Sequence, residues 1–223
     1  MRPLRRLRFA LGALWSALSD YFGVSRRTRV RQIADRDELV KFLQSRSSYV
    51  AQTSLYGYLR TRAGMRYPEL FADDAFVKSV NLAKWHIWVA CLGDLAVYAG
   101  GLVARRSGAR PARVTALMQE AVETILSATG EPDDAGPEFA SHVQRLRARL
   151  ALCDWAAVGD DDGAFAESPG ALVRWAPIVD HLKELDEPIV RNSVRFRWQA
   201  VRRDLRAALR ADALVASALS SPV

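Results

Sequence analysis

The residues of this chain that could carry chemistry are few and dispersed. There are three histidines, His86, His142 and His181, far apart in sequence and none at metal-ligand spacing from another. Glu120 and Glu123 share a helix face at i,i+3, but the Glu-x-x-His pattern of a di-iron bundle is absent. A metal cage drawn from Asp94, Glu120, Glu123, His86 and His142 is geometrically conceivable in a bundle, but the spacing does not single it out. Of the two cysteines, Cys91 falls on the face of Ile87 and Leu95, and Cys153 falls on a regular apolar seam, so both read as small hydrophobes. A thiolate nucleophile needs a base at hand, and His86 points about 140° away from Cys91 on an ideal helix. No nucleophile elbow, phosphate-binding loop, dinucleotide fingerprint or zinc-finger spacing is present. No catalytic residue, metal ligand or cofactor is therefore assigned. The most suspicious polar residue is Asp94, inside the most apolar stretch of the chain. With His86 it marks a possible buried polar centre, for which Arg60, Lys84 or an arginine of the C-terminal helix would supply the counter-charge.

Charge places a different kind of site. The net charge is +7 over 223 residues, with 32 basic and 25 acidic side chains. Residues 1–36 hold nine arginines against Asp20 and Asp35, which is +7, and the remainder balances at 23 against 23. The imbalance belongs to the N-terminal arm, not to a general basic field. In that arm Leu4, Leu7, Leu11, Leu14, Leu18 and Phe22 recur every three or four residues with Trp15 beside them, while Arg2, Arg5, Arg6 and Arg8 crowd the start. This spacing predicts an amphipathic helix suited to an anionic membrane surface or a partner protein. It is too short and too charged to span a bilayer. A secretory signal with Ala17-Leu18-Ser19 as cleavage site, an organelle presequence, and simple packing on the body are the competing readings.

The elements behind these residues are helical almost throughout, with no run alternating convincingly over a strand length. Asp35 and Glu38 form a capping-box pattern that starts a long helix, which Ala63-Gly64 ends. Tyr49, Thr53, Tyr56 and Arg60 lie along one side of it. They are a possible partner or base-stacking surface, set against the plainer reading of a half-buried seam. A second helix starts near Asp73 or Asp74. Its stretch Trp85 to Ala104 has the length of a membrane span, but the charge of Asp94 and three glycines favour the central helix of a soluble bundle.

Pro111 opens a third helix with Val114, Leu117, Met118, Ala121, Val122, Ile125 and Leu126 as its packed face. From Pro137 a seam runs Phe139, Val143, Leu146, Leu150, Cys153 and Ala157. Gly159 to Gly170 reads as a loop, Pro177 as the start of a short helix to Leu185, and Pro188 as the start of the last helix, with Val194, Trp198, Val201, Leu205 and Leu209 inward. Trp155 near a helix end and Trp175 between proline-bounded segments are candidate partner contacts.

The expected fold is all-α: a single irregular, mostly antiparallel bundle of six or seven helices over residues 35–223, preceded by a basic amphipathic arm and linker over 1–34. The expected function is a non-enzymatic accessory or adaptor protein at the cytoplasmic face of a membrane, docked peripherally on the lipid or on a membrane protein complex, with another protein subunit as partner. Nucleic-acid binding is one alternative, through Arg26, Arg27, Arg29 and Arg31, the Arg105–Arg110 turn, Arg60, Arg62 and Arg66, and the last helix. No readout device accompanies those arginines. A helical-bundle enzyme centred near Asp94 is the other.

Overall fold

The computed structural model describes residues 31–220, and the N-terminal docking residues Arg2 through Phe22 lie outside them. Asp35 acts as its position predicts: its carboxylate accepts the Glu38 backbone N–H at 2.9 Å and starts α1 (Arg36–Ala63), which ends at Gly64 with φ 55°. The counterpart at the next start is Asp73, whose carboxylate accepts from Ala75 and Phe76 ahead of α2 (Asp74–Ser107). Gly108, left-handed at φ 60°, terminates α2 by returning its N–H to the Ala104 carbonyl.

Then follow α3 (Pro111–Thr129), α4 (Phe139–Ala151), α5 (Glu167–Trp175), α6 (Asp180–Ala208) and α7 (Ala211–Ser220). A short turn of 3-10 and α-helix over residues 64–70 joins α1 to α2. Seven helices of nine residues or more thus make an all-α bundle among the described residues, and the only sheet-like pairing there is a single parallel bridge between Ile33 and Leu209. Ile33, read above as linker, is 2% exposed and belongs to the core.

α2 is the axis of the bundle. Every residue from Cys91 to Val103 is buried, and α1, α3, α4, α5 and α7 pack around it. Its most apolar window is 89% buried by the other helices, as expected of a central core helix. Close approach explains its glycines. A Cβ on Gly100 would overlap the Trp155 ring, and one on Gly93 would stand 2.8 Å from Leu146 Cδ1. The face read on α3 is buried residue for residue. α4 runs in the same direction as α2, as the pairs His86–His142 and Asp94–Arg149 require, so the bundle is not antiparallel between every pair of neighbours.

Four boundaries differ from the sequence reading. The seam of α4 stops at Leu150, because the helix ends at Ala151. Asp154 then accepts the Ala156 N–H at 3.1 Å in a side-chain-closed turn, leaving Cys153 half-buried and Ala157 exposed. α5 begins inside the stretch that reads as loop, at Glu167, since Pro169 sits in its first turn, where its missing N–H has no helical acceptor to lose. Pro188 does not start α6 but lies within it. The position is exposed, so water can serve the carbonyl its ring leaves unbonded, and the helix passes straight through. Finally α7 was not anticipated; it turns back after Arg210 and buries Leu214.

Candidate functional site

Asp94 and His86 are both buried, at 0% and 1% exposure, yet they do not form one centre. They sit eight residues apart on α2, about 12 Å along the axis. Each meets a different residue of α4.

The Asp94 centre is an ion pair fastened to a helix end. Its partner is Arg149, whose Nη1 donates to Oδ1 at 2.7 Å, and not Arg60, Lys84 or an arginine of the C-terminal helix. The Asp94 carboxylate also accepts the backbone N–H of Ser168 at 2.8 Å and of Glu167 at 3.3 Å, so it caps the start of α5 from across the bundle. α5 receives no side-chain cap from Ala166, the residue that precedes it. Arg149 donates onward to the Ala164 carbonyl at 2.9 Å, and Ser168 Oγ accepts from Trp198 Nε1 at 3.0 Å, which links α2, α4, α5 and α6. Burial pushes the Asp94 carboxyl up, against the opposing pull of Arg149 and Ser168. Burial and then the Asp94 charge push the Cys91 thiol well above its ordinary range, so it is protonated and inert at neutral pH. Both cysteines are free thiols.

The His86 centre is a pair of imidazoles under an indole. Nδ1 of His86 and Nδ1 of His142 are 2.5 Å apart, and the Trp175 ring stacks on His86 at 3.7 Å and 10°. Two nitrogens that close must share one proton, one ring donating and the other accepting. A second proton would place two cations in contact. Burial lowers His86 from its usual range, with Arg174 and Arg145 adding to the effect and the Ala135 carbonyl and Glu138 opposing it. His142 is pushed down to about 4 by burial, then by His86, Arg145 and Arg174. Beside this pair an open groove of about 660 Å³ runs past Trp175, Pro177 and Val179, and its only charged lining residues, Asp180 and Lys183, are paired at 3.4 Å.

The conceivable metal cage does not assemble. Glu120 pairs with Arg36, Glu123 with Arg147 and Asp94 with Arg149, and among the described residues no three such side chains converge.

One of the two tryptophan assignments needs correction. Trp155 is 1% exposed, its ring held against Gly100 and its Nε1 donating to Thr115 Oγ1 at 2.7 Å, so it is a core residue and not a surface contact. It is buried although the helix has ended, because the turn at Asp154 folds the chain back over α2. Trp175 is half-buried against His86 and His142. Along α1, Tyr49 and Tyr56 are half-buried against the core and Arg60 is exposed, with burial raising the Tyr56 hydroxyl.

Sequence reasoning missed the acidic loop as a docking element. Arg202 donates to Asp162 and Arg206 to Asp160, while Tyr98 donates to Asp160, so the loop that looked patternless is tied to α2 and α6. The run of acids facing an arginine-rich helix was the available signal. No family model, curated protein or solved structure matches this chain.

Proposed function

We propose that this protein is a non-enzymatic helical adaptor that docks peripherally, through its basic leucine-striped N-terminal segment, on an anionic membrane surface at the cytoplasmic face or on a membrane-embedded protein complex, and that it presents its bundle to another protein subunit. The observation that carries this reading is a coincidence of two patterns. The whole +7 excess lies in residues 1–36, the same stretch that carries the Leu4–Phe22 stripe. Apolar side chains entering the headgroup region and arginines meeting anionic lipid reinforce one another, and each cation near such a surface contributes about 1 kcal/mol.

The bundle supports the adaptor reading over an Asp94-centred enzyme. Both oxygens of that carboxylate are engaged by Arg149 and the start of α5, which leaves it the work of a structural bolt. The test is vesicle co-sedimentation of the full chain on anionic and on neutral vesicles, beside a Leu7→Asp/Leu11→Asp/Leu14→Asp variant. Binding to the anionic vesicles that falls at least about tenfold in the variant and weakens with salt is the expected result. Equal binding by both chains, or none by either, overturns the lipid-docking arm of the proposal.

A further inference from the structure

α6 has two apolar edges, and only one is used by the fold. Val190, Val194, Trp198, Val201 and Leu205 face inward and are buried. On an ideal helix they centre about 180° from a second series, Leu185, Ile189, Asn192, Phe196, Gln199 and Arg203. That outward series repeats in steps of 4, 3, 4, 3 and 4, the spacing of a coiled-coil seam. Its large apolar members are 72% exposed at Leu185, 73% at Ile189 and 70% at Phe196. Isolated exposed leucines are ordinary, but three bulky side chains in heptad register with an asparagine between them form a docking edge.

Charge along the same helix selects the occupant. The charges exposed along it are acidic at its start, Asp180 and Glu184, and basic further on, Arg195 and Arg203, whereas Asp186, Arg202 and Arg206 are half-buried and paired within the chain. A second α6 laid in the same direction would set acid on acid and arginine on arginine. Laid in the opposite direction it sets the acidic half on the basic half.

We infer that the outward edge of α6 binds a second copy of this chain, antiparallel, about a two-fold axis at Asn192. In that register Ile189 meets Phe196 of the second copy, Leu185 meets Gln199, and the two Asn192 side chains face each other at the centre. A polar residue there fixes register and orientation. Exposed Glu184 lies toward Arg203 of the second copy, whose long side chain leans back toward its own N-terminus. The interface is isologous, so each half of the edge is used twice.

Sedimentation velocity of the full chain in vesicle-free buffer tests the self-association, with a dimer half-formed at or below about 10 μM expected. Ile189→Asp, at an exposed position, should weaken it at least about tenfold with an unchanged helical circular-dichroism spectrum. Glu184→Arg and Arg203→Glu should each weaken it several-fold, and the two together should restore it, since the swapped charges meet again across the axis. In a Cys153→Ser background, Asn192→Cys should oxidise to a linked dimer while Gln199→Cys does not, its two copies lying about 20 Å apart and beyond disulfide reach. A chain that stays monomeric at about 100 μM overturns the inference. So does linking at both positions, which means a parallel pair, and so does linking at neither in a chain that still dimerises. Because no membrane is present, these outcomes are independent of the lipid-docking proposal.

Discussion

Two buried polar pairs bridge the same two helices, and they solve the problem of burial in opposite ways. Between α2 and α4, His86 meets His142 and, two turns further on, Asp94 meets Arg149. The second pair keeps its charges and surrounds them with donors; the first gives up its charge and keeps one proton between two rings. A fully buried carboxylate without partners is expensive, whereas here every oxygen is engaged and the engagement holds α5 in place. The imidazoles can instead escape the cost by remaining neutral, which a carboxylate–guanidinium pair at neutral pH does not do. Asp94–Arg149 is therefore a fixed structural bolt, and His86–His142 is a contact whose strength depends on pH.

The comparison is broken most forcefully at Arg149. Its replacement by Ala strands the Asp94 carboxylate at 0% exposure, and a loss of about 3–5 kcal/mol in urea denaturation is expected. Asp94→Asn should cost less, about 1–3 kcal/mol, because Arg149 is 26% exposed in its side chain and can turn to water. Equal losses for the two, or a trivial loss for Arg149→Ala, would mean the pair does not bear the load assigned to it. Asp94→Leu/Arg149→Met removes both charges and should recover part of the stability lost by Arg149→Ala.

Gly93 sharpens the comparison because it sits between the two pairs. Ala there brings a Cβ to 2.8 Å from Leu146 Cδ1 and 3.5 Å from Arg149 Nη1. The tip of Leu146 can give way in part, so the expected cost is about 1–3 kcal/mol. The perturbation should reach Arg149 before His142, since Leu146 lies three residues from one and four from the other with the guanidinium in direct contact. Crystallography of Gly93→Ala that shows the imidazoles displaced and the ion pair unmoved would contradict that order.

How far the sequence foretells these pairs depends on which level of structure each needs. Periodicity names the buried face of α3 residue by residue and the first four members of the α4 seam, because those follow from which side of a helix meets apolar neighbours. It marks Asp94 as needing a partner but cannot choose Arg149 among the available cations, since the choice depends on how α4 lies on α2. The His86–His142 contact spans 56 residues and has no local signature beyond His142 lying one step from Val143 on the seam. Turn chemistry accounts for most of the remainder. A single carboxylate at Asp154 ends the seam and buries Trp155, and Pro169 and Pro188 are tolerated by where they sit in their helices.

The pH dependence separates the two pairs directly. His142, with its folded value pushed down to about 4, resists protonation that the unfolded chain accepts near 6.5. The unfolded state then binds more protons over that interval. The contribution is complete above about 6.5 and is lost progressively as pH falls toward 4, the sign for a histidine held neutral. His142 is partly exposed, which makes this loss smaller than the effect at Arg149. His142→Gln, which cannot charge, should flatten the stability profile between about pH 4 and 6.5, the interval between the folded and unfolded values of that ring. A profile equally steep in the variant would assign the acid sensitivity elsewhere.

The smallest expected effect comes from a pair that looks strongest by geometry. Two residues before Arg149, Arg147 forks onto Glu123 with Nε to Oε1 at 2.6 Å and Nη2 to Oε2 at 2.8 Å, and the Arg147 hydrogen bonds hold the Glu123 carboxyl below its usual range. Yet both side chains are about 40% exposed, so water competes for every donor and acceptor in the fork. Arg147→Ala should therefore cost about 1 kcal/mol or less, and that small loss should fade as salt is raised toward about 1 M, where the screening length falls to about 3 Å. Arg149→Ala should keep most of its penalty in the same salt series, because the carboxylate it leaves behind is buried in the bundle. Two arginines on one short helix, each paired to a carboxylate, thus become a test of the argument made for the two bridges: burial, not the quality of the hydrogen bonds, decides which charge the fold depends on. Matching salt dependence for the two variants would refute it.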